Sequence, residues 1–426
     1  MEIHIRFATV AVLLAALGLA SCETYEDPFP PRDGLYYPIG VQMHPDGRFL
    51  YVVNSNFDQL YRDSLGGTVS VYDTVEGEFL PEATPFIPSF GGHIALNEDA
   101  SRAYVPSRQN NELTMLSVAE QGQGLYCEVG GEREADTRPC TTRRIPDSRD
   151  GSRIPSDPFG VAVGSIERVE GEELRQFDTV HLSHLAGREV TSAVFGGDDF
   201  AGASLRSAGL VDEGGAQIEV RPGTEEVYVA GRRSHRVDGF SPFINDYGEV
   251  EAIVRGYAIE LADSGSNLDA RGLDFDSDGD WMYVATRSPS ALHVVGMDDE
   301  GGPEVVNTIS LERRPSEVHF HRGADGVDRV YVPSYRHGTV EVVEPDREAV
   351  VDKIDVGRSP YSMDTDPGGV HCNVEGERCQ GYVTLFDAGE DGETSCDEED
   401  RYCGRVAVID LDPGSETFHT VIDTIQ

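Results

Sequence analysis

Lysine is almost missing from this chain. Lys353 is the only one, so arginine supplies the rest of the 34 basic residues, which face 77 acidic ones. The arginine bias reads as base composition. The formal net charge of −43 makes nucleic acid and anionic lipid headgroups poor partners, because both would be repelled at long range. Tryptophan occurs once, at Trp281. The apolar run 7–20 is shorter than the roughly 20 residues that span a bilayer. There is no G-x-S-x-G elbow, P-loop, H-E-x-x-H or C-x-x-C-H, so common hydrolase, nucleotide, zinc-protease and haem signatures are excluded. No cofactor or metal is expected.

Glycine and proline are abundant, and apolar residues come in short runs. The stretch 41–74 shows the unit. Val41 to Met43 reads as a strand and Pro45-Asp46-Gly47 as a tight turn. Phe49 to Asn54 is a second strand, and Thr68 to Tyr72 a third. The β-branched and aromatic residues between turns suit a pleated, buried surface. The unit returns with Tyr104-Val105, Val227-Tyr228-Val229, Tyr283-Val284, Val330-Tyr331-Val332 and Tyr382-Val383, and more weakly with Thr179 to Ser183. A fourth strand follows in several copies, as in Glu304 to Leu311 and Ala349 to Val356. One such meander cannot bury both of its faces alone, whereas stacking copies around an axis buries them. Seven copies, about 50 residues apart, predict an all-β fold, a seven-bladed β-propeller of four-stranded antiparallel blades over 36–426.

The first 35 residues read as an address. Residues 1–21 fit a secretory signal ending in Leu19-Ala20-Ser21-Cys22, which resembles the lipobox of bacterial lipoproteins. The resemblance implies lipidation at Cys22, and Glu23 after it implies the outer membrane. Residues 22–35 are acidic and Pro-rich, and read as a tether. Six cysteines remain. In an exported chain an even number suggests disulfides. Local pairing is simplest: Cys127 with Cys140, Cys372 with Cys379, Cys396 with Cys403. Zinc is the alternative, without a C-x-x-C spacing to support it. Asp274 to Asp280 imitates a calcium loop, but Ala285 stands where the bidentate Glu belongs, so it reads as a hairpin turn. The recurrent Tyr51, Tyr104, Tyr228, Tyr283 and Tyr331 read as packing between blades.

The repeats are similar to the YVTN repeats of bacterial β-propeller proteins, in the style of lactonase-like propellers. The residues that carry this are Pro45-Asp46-Gly47, Tyr51-Val52-Val53-Asn54, Val69 to Thr74, Thr308-Ile309 and Gly357 to Pro360. In such a fold the loop after each second strand and the start of each inner strand share one face near the axis. Those positions hold Asn54, Asn56, Arg108, His184, Arg232, Arg233, His235, Arg287, Arg336 and His337, with His93, Arg271, Glu317 and Tyr361 at strand starts, and Arg314 and Arg358 just before. Arg108, His184, Arg232, His235, Arg271, Arg287, Arg336 and His337 form the expected ligand-binding mouth. Arginine forks suit carboxylates and phosphates, while the bland alternative is a set of solvated loops. The expectation is a lipid-anchored envelope protein that binds a protein, glycan or other anionic ligand without catalysis. The resemblance implies a lactonase-like hydrolase as the alternative, and an envelope-complex scaffold is a third. If Cys22 carries the anchor, Cys22→Ser should leave the membrane fraction; firm retention of that variant would refute the lipid anchor.

Overall fold

A computed structural model describes residues 29–61, 65–129, 132–133, 153–170, 173–196, 204–209, 212, 214–263, 265–298, 301–312, 314–366, 379–389, 395–396 and 402–426. The signal, Cys22, Cys140, Cys372 and most of the acidic loop 390–400 lie outside them. Among the described residues the chain forms seven antiparallel sheets in succession, plus one small hairpin, Glu128–Val129 with Glu132–Arg133, in the insertion after the second sheet. Blade 1 is Pro38–Met43, Phe49–Asn54, Gly67–Asp73 and Glu78–Phe79, with Phe86–Ile87 added. The inner strands of the other blades are Ala95–Leu96, Pro158–Glu170, Gly215–Val220, Ala270–Phe275, His319–Arg322 and Pro360–Thr365. This is a seven-bladed β-propeller.

Each second strand is buried through its centre, because neighbouring blades cover both of its faces. Phe49–Asn54 is buried at all six positions. Tyr51, Tyr104, Tyr228, Tyr331 and Tyr382 are fully buried. Burying such a ring contributes roughly 2–3 kcal/mol. Its hydroxyl must then find a partner: Tyr51 donates to the Gly122 carbonyl at 2.7 Å and Tyr104 to Asp178 at 2.7 Å. The ring closes where Tyr36 bridges Cys403 in parallel and the Cys403 N–H donates to the Leu35 carbonyl at 3.1 Å. Cys396 and Cys403 form a disulfide with Cα atoms 5.6 Å apart, as local pairing predicts. Cys127 and Cys379 are also disulfide-bonded, to partners outside the described residues. The calcium-like stretch is the turn into Trp281, whose N–H is capped by Asp276 at 2.9 Å.

The inner strands have one edge without a strand partner, and unpaired backbone N–H groups there cost free energy. Side chains from adjacent blades satisfy them. Gln217 accepts from the Leu273 N–H at 3.1 Å, Asp274 from Phe320 at 2.7 Å, Glu317 from Met363 at 3.2 Å and Asp364 from Met43 at 2.6 Å. These acids line the axis in a low-dielectric setting, together with Glu219. Burial raises all four: Asp274 and Asp364 to about 7, Glu317 to about 8, and Glu219 well above its ordinary value. A carboxyl whose folded-state pKa is raised holds a proton that the unfolded chain has lost. Its contribution to stability is complete below about pH 4 and falls away up to pH 7–8. Thermal stability should therefore decline between pH 5 and pH 8. Asp364→Asn, which cannot ionise, should shallow that slope, by a few degrees in Tm at pH 8 relative to pH 5. An unchanged slope in Asp364→Asn would contradict the assignment.

Candidate functional site: a basic, aromatic mouth

One backbone bond repeats in every blade at the end where inner strands begin. The N–H of the residue after the second strand, or of its last residue in blade 5, donates to the carbonyl of the residue preceding the inner-strand segment. Ser55 donates to Tyr37, Arg108 to Phe90, Leu185 to Asp157, Arg232 to Gly214, Arg287 to Asp269, Tyr335 to Arg314 and Phe386 to Ser359, all at 2.9–3.2 Å. All seven acceptor residues have positive φ, from +50° at Tyr37 and Asp269 to +71° at Gly214. Only Gly214 meets that demand without strain. The other six carry side chains in a region that disfavours them. Several of those side chains build the mouth. Asp157 pairs with Arg108, and Asp269 grips Arg271 with two bonds of 2.7 and 3.2 Å. Phe90 lies under the Arg108 guanidinium, 5.8 Å from its carbon.

The donors and acceptors surround a cavity of about 230 Å³ lined by Arg108, Arg271, Arg287, Arg314, Tyr361 and Phe386, among others. Arg108 and Arg271 are neutralised by their aspartates. Among the described residues, Arg232, Arg287 and Arg314 have no carboxylate partner. Arg287 spends one N–H on the Pro315 carbonyl at 2.7 Å, and Arg232 spends one on the Leu185 carbonyl at 2.8 Å. The Arg232 Nε is buried with no hydrogen-bond partner. Burial, and then the Arg271 charge, lower Arg287 to about 10 and hold Arg232 below its ordinary value. Both stay charged at neutral pH. Behind the cavity wall His93 packs at a tilt against Phe159 at 4.7 Å and against Tyr361 at 6.4 Å, and stands 3.9 Å from Glu317. Burial lowers His93 to about 4, so it is a neutral imidazole there.

The structure brings together Arg108, Arg232, Arg271 and Arg287 of the expected mouth. The others sit elsewhere. His184 ends its strand one residue before the mouth position. Its side chain points into blade 3, where it bonds Thr191 at 3.0 Å and the Ser156 carbonyl at 3.1 Å. His235 lies in the next turn and pairs with Glu260 at 2.7 Å. Arg336 and His337 follow Tyr335 into the hairpin turn and are exposed. Asn54 and Asn56 are buried; Asn54 ties Tyr36, Thr68 and Ser70 together, and Asn56 holds Tyr61 and Ser89. Alternation explains the misses, since a slip of one residue turns a strand side chain to the opposite face. The aromatic members Phe57, Phe90, Phe159, Tyr335 and Phe386 carry no sequence signal that separates them from packing residues.

The fold and this mouth define a class, the seven-bladed propeller with an axial basic pocket. No family model and no curated protein matches the chain. Solved structures do. The Pseudomonas aeruginosa periplasmic gluconolactonase is similar at 16% identity and TM-score 0.52, over 76% of this chain and 87% of that one. A Bacteroides uniformis protein assigned as a 6-phosphogluconolactonase is similar at 16% identity and TM-score 0.50, over 71% and 80%. Kuenenia stuttgartiensis hydrazine synthase is similar at 14% identity and TM-score 0.54, over 90% and 97%. At these identities the likeness is one of fold.

Proposed function

We propose that this is an envelope β-propeller, held to the membrane by lipidated Cys22, that binds a small carboxylate or phosphate at its mouth without transforming it. The carrying observation is two guanidiniums without carboxylate partners among the described residues, Arg287 and Arg314, lining one cavity of about 230 Å³, with Arg232 close enough to Arg271 and Tyr361 to feel their charges, in a chain of net charge −43. A small concave cavity favours a small ligand, or one acidic side chain of a partner, over a broad protein surface. Desolvated charges that repel one another cost stability, and sites that keep them usually do so for a ligand. Charge-assisted forks to one anion would offset that cost.

A second reading is hydrolysis of a lactone. It is favoured by the neutral His93 beside Glu317, packed against the cavity residues Phe159 and Tyr361, and by the names of two structures similar in fold. His93 would take a proton from water as its oxygen attacks the lactone carbonyl. The ring C–O bond would then break, and the departing alkoxide would take the proton back.

Calorimetric titration with inorganic phosphate and with acetate at low salt separates the possibilities. Saturable binding is expected, weakened at least ~10-fold by Arg287→Gln (charge-assisted bonds contribute about 1.5–3 kcal/mol) and unaffected by Arg336→Gln. Arg287→Gln should match or exceed the wild type in Tm, because it removes a buried like charge. No binding, or equal loss in both variants, would refute the anion site. Turnover of an aldonolactone by the wild type, abolished in His93→Asn, would replace binding by hydrolysis.

A further inference from the structure

We infer that the ligand of this mouth is a small planar aromatic carboxylate, its acid group on the arginine forks and its ring among the mouth's own rings. This rests on the anion-binding reading and narrows it. Phe57 meets Phe90 at 6.1 Å and Phe386 at 5.3 Å; Phe386 meets Tyr361 at 6.3 Å; Tyr361 meets Phe159 at 6.2 Å and Tyr335 at 6.5 Å. All six rings line the same cavity as the arginines.

The fold does not require apolar side chains at these places. The seven mouth donors include Ser55 and Arg232 beside Tyr335 and Phe386. The seven acceptors include Asp157, Asp269 and Ser359 beside Phe90. Equivalent backbone positions thus accept polar residues in other blades, yet six rings collect around one pocket. Phe57 remains 52% exposed at the rim despite its ring neighbours. Large apolar groups left open beside a concave site are typical of ligand contact.

The polar inventory argues against a polyol. A sugar acid needs acceptors and donors for several hydroxyls. The two mouth carboxylates, Asp157 and Asp269, are already held by Arg108 and Arg271, Ser55 donates its hydroxyl to the Tyr37 carbonyl, and the side-chain hydroxyls left on the cavity wall are those of Tyr335 and Tyr361. The space is also right: about 230 Å³ equals about eight water volumes at ~30 Å³ each, enough for one ring with its acid group. Aromatic faces stack well on guanidinium planes and on other rings.

The test is calorimetric titration with benzoate, cyclohexanecarboxylate, acetate and gluconate. Benzoate should bind at least ~10-fold tighter than acetate or gluconate, and several-fold tighter than cyclohexanecarboxylate. Phe386→Ala should weaken benzoate at least ~5-fold and leave acetate unchanged, whereas Arg287→Gln should weaken both. If Phe386→Ala does not fold, Phe57→Ser replaces it, since that side chain is largely exposed and its loss leaves the core intact. Equal affinities for benzoate and acetate, with Arg287→Gln still damaging, would overturn the aromatic assignment and leave the anion site standing. Cyclohexanecarboxylate matching benzoate would overturn it too. Failure of every acid to bind would remove both.

Discussion

Seven backbone hydrogen bonds, one per blade, fix the mouth. Each ties the end of a second strand to the residue that leads into the inner-strand segment of the same blade, and each has that residue at positive φ. Six of the seven acceptors are not glycine, at a cost on the order of 1 kcal/mol each. The surrounding sheets over-determine the geometry, and their buried tyrosines and valines hold it. In return every blade holds two backbone positions at set places around the mouth. The mouth is therefore a frame with fixed sockets, and its chemistry is whatever residues occupy them.

The occupants are unusual for so acidic a protein. Deeper in the axis, acids cap the free edges of the inner strands, with burial raising their pKa values toward neutrality or above. Above them stand five arginines, of which only Arg108 and Arg271 have carboxylate partners. Desolvation strengthens electrostatic interactions at such a place relative to water, so the unpaired guanidiniums repel one another and attract an anion more strongly than exposed ones would. The general negative charge keeps anions away at long range, so a ligand must gain its affinity by close contact.

Much of the fold was legible in the sequence. Turn, tyrosine-valine strand and third strand recur so regularly that seven blades could be counted, and Phe49 to Asn54 matches its strand end to end. The signal is strong because a second strand covered on both faces favours apolar residues at its centre, and it is weakest in blade 3, where Asp178, Thr179, His181 and Ser183 are buried. The site was legible in part. Arg108, Arg232 and Arg287 stand out because loop arginines at equivalent places are rare coincidences. His184 and Arg336 mislead because loop lengths shift the mouth position by one residue, and a chain of alternating faces turns that shift into an inversion. The phenylalanines were invisible, since a ring that faces a ligand and a ring that packs a blade look alike until a backbone shows which way each one points.

The most direct measurement is anomalous diffraction from crystals soaked in bromide. Bromide has no shape to recognise and reports where the protein itself favours an anion. The account predicts its strongest site within hydrogen-bond reach of Arg287 and Arg314 at the mouth. Occupation of exposed arginines such as Arg336, with an empty mouth, would contradict it.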